Sequence, residues 1–284
     1  MTPVVAVIAP GAMGAAVGKR LADRGLRVLT SLAGRSESTA TRSREAGMVA
    51  ASDEEMACAD FILSILPPGD ALSLAHRFGP ALTTSNAKPV YVDCNAINPT
   101  TVERVAATIA PTGCRFVDCG IIGPPPRGKD FSPRFYASGE AAQHFATLRQ
   151  YGLDVRVLGG SLSAASALKM SYAGITKGTQ AIAAAMMLAA TRAGSAEALF
   201  DELSFSQKEM LGQFEQQLPK MPAKAYRWVA EMEEIAGFVG DDPAARELYE
   251  GAAHFYQRIA EDFSGDQQDV AALTAFLGKN LSGG

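Results

Sequence analysis

An apolar run, Val4-Val5-Ala6-Val7-Ile8, passes straight into Ala9-Pro10-Gly11-Ala12-Met13-Gly14 and then into a helical segment, 15–24, that stops at Gly25. The same alternation recurs along the first half of the chain. Arg27 to Leu32 reads as a second strand, and Glu37–Ala46 as a helix ended by Gly47. The run from Asp60 to Leu66 is broken by Pro67-Pro68 and suits a strand buried on both faces. Lys88–Asp93 is another strand, and Pro99–Ile109 a helix with Asn98 placed to cap it. Arg115–Ile122, Arg134–Ala137 and Asp154–Leu158 complete the strands. Strands that alternate with helices in this way predict an open, mostly parallel sheet with helices on both faces.

Beyond Gly159-Gly160 the strand signal ends. Ser161 to about Ala193 reads as one long helix, followed by helical segments at Ser204–Leu218, Ala223–Phe238 and Pro243–Asp262. The expected fold class is therefore α/β, a Rossmann-type doubly wound sheet (1–160) followed by an all-α C-terminal domain (161–284). The long helix is rich in small residues, among them Ala164, Ala165, Ala173, Gly174, Gly178 and Ala183 to Ala185. Small side chains let helices approach closely. A homodimer built on this helix is the favoured expectation, and burial inside one subunit is the alternative.

Composition narrows the function. With 48% hydrophobic and 20% charged residues and a net charge of −4, the chain lacks the clustered base that nucleic acid binding draws on. The most apolar helical stretch, Ala181 to Ala190, is too short to span a bilayer, and the apolar start lacks a basic flank. A cytoplasmic protein acting on a small molecule, with no nucleic acid or membrane partner, is the expectation. The four cysteines form no CxxC pair, and the three histidines stand apart, so no metal site assembles from the sequence.

Strand, glycine turn and helix is the context in which a dinucleotide pyrophosphate sits on a helix N-terminus, met by free N–H groups and the helix dipole. Gly11, Ala12, Met13 and Gly14 would form that turn, although the usual first glycine is Ala9. An ordinary strand-to-helix turn is the plain alternative. An NAD site usually ends the second strand with an acid for the ribose hydroxyls. Here the strand ends Thr30-Ser31-Leu32 and leads into Ala33-Gly34-Arg35-Ser36, with no acid. Arg35 can pair with a 2′-phosphate, and Ser31 and Ser36 can donate hydrogen bonds to it. A surface arginine beside a helix cap is the alternative. The expected cofactor is NADP (NADPH), ahead of NAD.

These motifs, with Pro67-Pro68, Asp93-Cys94-Asn95-Ala96, the segment Asp118 to Pro124 and Lys169-Met170, make the chain resemble the β-hydroxyacid dehydrogenase and 6-phosphogluconate dehydrogenase superfamily. The closest likeness is to a subgroup of NAD(P)-dependent oxidoreductases with a distinct C-terminal helical domain. The resemblance implies a cofactor site that includes Leu66, Pro67 and Asn95. It implies a substrate-binding segment through Gly120, Ile121, Ile122 and Gly123, and catalysis by Lys169. For Asn95, an Asx turn is the structural alternative.

Lys169 also stands out on physical grounds, because its neighbours from Ser161 to Gly174 are small, apolar or hydroxylated. An ammonium there must reach water or a polar cleft, and in a cleft it can exchange a proton with an alcohol or carbonyl. A lysine snorkelling from a helix edge is the alternative. Two features depart from the family. The Asn expected four residues after the lysine is Ala173, and Tyr172, three residues from Lys169, can either take its place or serve as a core aromatic. The expected Ser-Gly-Gly turn is replaced by Gly123-Pro124-Pro125-Pro126, and prolines offer no N–H to a carboxylate. Arg127 and Lys129 follow as anion binders or as a solvated loop, and Lys177 is a weaker candidate for an anionic substrate. Trp228, Glu231 and Met232 would close the substrate pocket from the helical domain, or belong to an amphipathic core helix. The favoured reaction is hydride transfer between NADP and a small hydroxy acid or related hydroxy or carbonyl compound. An imine reductase, which typically lacks the lysine, and a non-catalytic NADP-binding sensor or scaffold are the alternatives.

Overall fold

The computed structural model describes residues 2–8, 10–128 and 131–278; Ala9 and Lys129, both singled out above, lie outside them. Two units are distinguished, Met1–Met170 and Ser171–Gly284. The first runs β1 (Val4–Ile8), α1 (Ala12–Ala22), β2 (Arg27–Thr30), α2 (Glu37–Glu45), β3 (Val49–Ala50), α3 (Asp53–Met56), β4 (Phe61–Ser64), α4 (Ala71–Thr84), β5 (Val90–Asp93) and α5 (Pro99–Ile109). It continues with β6 (Phe116–Ile122), β7 (Arg134–Ser138), α6 (Ala142–Phe145), β8 (Asp154–Val157) and the first turns of α7 (Ala164–Arg192). The second unit holds the rest of α7, then α8 (Ala196–Ser206), α9 (Lys208–Gln217), α10 (Pro222–Phe238), α11 (Pro243–Ser264) and α12 (Gln268–Gly278).

The sheet order is β3-β2-β1-β4-β5-β6-β7-β8. All neighbours are parallel except β6 and β7, which pair antiparallel with Asp118 opposite Ser138. The expected α/β class with a helical C-terminal region is what the structure shows. Alternation along the strands divides the core. Val5, Val7, Phe61, Leu63, Val90, Val92 and Val117 face one layer of helices. Ala6, Ile8, Ile62 and Tyr91 face the other. On that second face β5 ends in Asp93, which lies opposite Asp118 of the longer β6. This is the edge where open α/β sheets take ligands.

Several elements differ from expectation. Helix α4, which carries His76, runs through Pro80, which removes one helical N–H without ending the helix. Strand β3 is two residues long and pairs only at the end of β2. The single helix expected at 204–218 is two, α8 and α9, parted at Gln207 with φ −137° and ψ 40°. Helix α12 lacks a predicted counterpart. The two units divide inside α7, whereas the strand signal ends near residue 160. The first turns of α7 are held by the sheet, as described below.

Candidate functional site

Gly11 caps α1 in extended backbone, with no side-chain hydrogen bond. The first helical bond runs from the Ala15 N–H to the Gly11 carbonyl at 2.9 Å. The N–H groups of Ala12, Met13 and Gly14 therefore have no carbonyl one turn back to bond with. A Cβ on Gly11 would meet no atom within 4 Å. Packing does not demand a glycine there, and the bare backbone leaves the helix start open to a ligand. This exposed start fits a dinucleotide pyrophosphate. Further along α1, Gly18 has a packing role, since a Cβ there would lie 2.6 Å from the Met48 sulfur.

Beyond β2 the chain turns at Gly34, whose φ of 69° favours glycine, with the Arg35 N–H bonded to the Leu32 carbonyl. Arg35 is exposed. Ser36 caps α2, its Oγ accepting from the Thr39 N–H at 3.4 Å. Ser31 is nearly buried, and its Oγ accepts a 2.9 Å bond from the Arg77 guanidinium of α4. Arg77 also grips the Asp53 carboxylate through Nε (2.7 Å) and Nη2 (2.5 Å). Arg42 donates to the Pro10 carbonyl at 3.1 Å and so ties α2 to the glycine turn.

At the ends of β4 and β5, Asn95 is buried and its side chain is used locally. Its Oδ1 accepts from the Leu66 N–H at 2.5 Å, and its Nδ2 donates to Ser64 Oγ at 2.8 Å. The Asn95 N–H in turn donates to Asp93 Oδ1 at 2.9 Å, an Asx-type turn. Asn95 thus pins the strand end that carries the half-buried Leu66 and exposed Pro67. Asp93 is fully buried and its Oδ2 has no hydrogen-bond partner. Burial raises its pKa to about 7; the Asn95 N–H opposes the rise and the Asp118 charge adds to it.

Asp118 organises the start of α7. It accepts from the Ser166 N–H and the Ser166 hydroxyl, each at 2.7 Å. Ser138 Oγ accepts from the Ala165 N–H at 3.0 Å and donates to the Leu162 carbonyl at 2.7 Å. Two donors of the first helical turn are thereby satisfied by side chains from β6 and β7. Burial raises the Asp118 pKa to about 6, against the bonds from Ser166. Gly120 lets the helix sit this close, because a Cβ there would lie 2.8 Å from the Ala165 carbonyl and 3.1 Å from Lys169 Cβ. Lys169, one turn further on, donates from Nζ to the Ile121 carbonyl at 2.9 Å. The predicted catalytic lysine and substrate segment are therefore in contact. Ile121 is buried, Ile122 partly so, and Gly123 is exposed with φ 127°.

Arg20 is a further element, absent from the expectations. It lies on the apolar face of α1 with Val17 and Leu21 and is 6% exposed. Its guanidinium donates to the carbonyls of Gly152 (3.0 Å), Gly128 (3.0 Å) and Phe131 (2.8 Å). It anchors the segment that follows the proline run. An arginine in the middle of a buried helical stripe is the sequence signal for this role.

In the helical unit, Tyr172 is half-exposed and Ala173 buried. Gly174 and Gly178 make room for Tyr249 of α11, since a Cβ at Gly174 would lie 2.8 Å from its hydroxyl. This gives the small-residue stripe a partner within the chain. Lys177 is ion-paired with Glu231 and lies 5.0 Å from the centre of the Trp228 ring. Burial lowers the Lys177 pKa, against the pull of Glu231. The Tyr256 hydroxyl donates to the Lys177 carbonyl at 2.6 Å, and its ring packs edge-on against Trp228. Met232 is fully buried. Trp228, Glu231 and Met232 therefore sit on the inward side of α10, with Glu231 neutralised by Lys177. Among the described residues, no helix is long and apolar enough to cross a membrane, and no three His, Cys, Asp or Glu side chains group as a metal site.

Residues 4–151 match the family described as the NAD binding domain of 6-phosphogluconate dehydrogenase, and residues 190–259 match a domain of unknown function (DUF1932). A curated relative from Methanothermus fervidus, an uncharacterized 28.5 kDa protein in the 7S RNA 5′ region, is 30% identical over 63% of this chain. The match spans 66% of that relative. Conserved protein MTH1747, reported as structurally similar to 3-hydroxyacid dehydrogenases, is 30% identical over 90% of this chain and 96% of its own, with a TM-score of 0.70. The Mycobacterium tuberculosis 3-hydroxyisobutyrate dehydrogenase structure with L-serine is 19% identical over 97% and 99% of the two chains, with a TM-score of 0.67. A Myxococcus stipitatus imine reductase variant in complex with NAD+ is 19% identical over 98% and 100%, with a TM-score of 0.59.

Proposed function

This chain belongs to the superfamily of 6-phosphogluconate dehydrogenase and the 3-hydroxyacid dehydrogenases, and from that premise we propose that it is an NADP-dependent oxidoreductase of small hydroxy acids or their carbonyl counterparts, with Lys169 as general acid and base. The observation that carries this reading is the seating of Lys169. Its ammonium is fixed beside the Ile121 carbonyl, on a helix that Gly120 allows to touch the end of β6. A bound nicotinamide supplies or accepts the hydride. In the reductive direction Lys169 gives its proton to the substrate carbonyl oxygen; in the oxidative direction it takes the hydroxyl proton. Asp118 and Ser138 hold the helix start, so the ammonium is presented by a fixed backbone rather than by a loop.

The N–H groups at Ala12, Met13 and Gly14 would hold the pyrophosphate, with Leu66 and Pro67 on the neighbouring strand end. Arg35, Ser36 and Ser31 favour a 2′-phosphate over a free ribose hydroxyl, because no acid ends β2. Asp53, the nearby carboxylate, is held by Arg77. An exposed apolar row on α7, with Ile175, Ile182 and Met186, supports a homodimer through that helix.

The reading is tested by following NADPH and NADH consumption with a panel of short 2- and 3-oxo acids, aldehydes and cyclic imines. The expected outcome is oxo-acid or aldehyde turnover with NADPH and at least tenfold weaker use of NADH. Turnover confined to cyclic imines would move the protein to the imine reductases. Tight NADPH binding with no turnover on any compound would favour a sensor.

A further inference from the structure

Besides Arg35, a second guanidinium stands at the end of β2. Arg77 reaches from α4 to Ser31, across 46 residues of sequence, while Asp53 at the start of α3 holds it from the other side. We infer that Arg77 is a second reader of the ribose 2′-phosphate, aligned for that task by Asp53. The inference rests on the NADP reading given above.

Asp53 takes Nε and one hydrogen of Nη2, and Ser31 takes the other, which leaves both hydrogens of Nη1 for a ligand. The side chain is 40% exposed, so Nη1 can be reached, yet three hydrogen bonds leave the guanidinium plane little freedom. A phosphate would meet donors already in place. Ser31 is set by the same contact. Because its oxygen accepts from Arg77, its own hydrogen is left to donate outward.

Arg77 also acts on selectivity through the charge of Asp53. Paired with Arg77, its carboxylate is neutralised. Without Arg77 a bare carboxylate would stand beside Ser31, where it would repel a 2′-phosphate and accept from a free 2′-hydroxyl. Arg77 thereby both attracts the phosphate and masks an acid that would select against it.

Calorimetric titration with 2′,5′-ADP and 5′-AMP tests this without turnover, since the two probes differ at the ribose 2′ position. Wild type should bind 2′,5′-ADP at least tenfold more tightly than 5′-AMP. R77Q should cut that ratio about tenfold or more while 5′-AMP binding is kept. D53N loosens the guanidinium but keeps its charge, and should lower the ratio by clearly less than R77Q does. An unchanged ratio in R77Q overturns the inference, as does an equal loss for both probes. A D53N result that copies R77Q also overturns it, because the ion pair rather than the guanidinium would then matter. If wild type itself does not distinguish the probes, the NADP reading fails, and the inference falls with it.

Discussion

Replacing Lys169 with alanine lowers the maximal turnover of the best carbonyl substrate by about 10²- to 10⁴-fold, the usual contribution of a positioned acid–base group, while NADPH affinity is kept. The two effects separate because of where the side chain sits. Lys169 projects from the second turn of α7 and donates to the Ile121 carbonyl, on the segment read as substrate-binding. The glycine turn joins β1 to α1, a separate segment of the chain from the Ile121 carbonyl that Lys169 meets. The helix itself survives the change, since the bonds that seat it come from Asp118 and Ser138. The variant should therefore be folded, bind cofactor and fail in the proton transfer. Stopped-flow NADPH oxidation together with fluorescence titration of NADPH would separate these terms. Turnover within twofold of wild type would remove Lys169 from the mechanism.

The second large effect concerns stability and pH. Asp93 is fully buried, has one unpartnered oxygen, and titrates near pH 7 in the folded protein. In the unfolded chain it titrates near the ordinary value of about 4. Between these values the folded state binds more protons, so stability is greatest below pH 4 as far as this group is concerned and falls as pH rises through 7. A shift of this size corresponds to on the order of 4 kcal/mol. Asp93→Asn keeps an oxygen to accept the Asn95 N–H but cannot ionise. Its thermal midpoint should exceed that of wild type at pH 8, by on the order of 10 °C, and this gain should vanish toward pH 4. Midpoints that move in parallel across the range would show that Asp93 does not carry the pH dependence.

Much of the sheet was legible because alternation along a strand is a local property. Val5 and Val7 against Ala6 and Ile8 already separate the two faces, and the C-terminal edge follows from the βα order. Capping was legible too: Asn98 accepts from the Thr101 N–H as its position predicts. Hidden were contacts between residues far apart in sequence. The Arg77 bond to Ser31 and the Arg20 bonds to Gly128 and Phe131 depend on which helix lies over which strand end. Asn95 shows the limit most clearly. Its place on the ligand edge could be read from the sequence, but not that its side chain would turn back to Ser64 and the Leu66 backbone. Likewise Glu231 and Met232 have the residue types of a pocket wall, and only packing reveals an ion pair and a core side chain.

The most direct test of the account is label transfer. NADPH carrying deuterium at the reactive C4 position of the nicotinamide is incubated with the enzyme and its best oxo substrate, and the product is analysed by mass spectrometry. Hydride transfer at this site predicts one deuterium on the former carbonyl carbon in wild type, formed at least about 100-fold more slowly in Lys169→Ala. A product without label, or label acquired equally fast in both proteins, would contradict it.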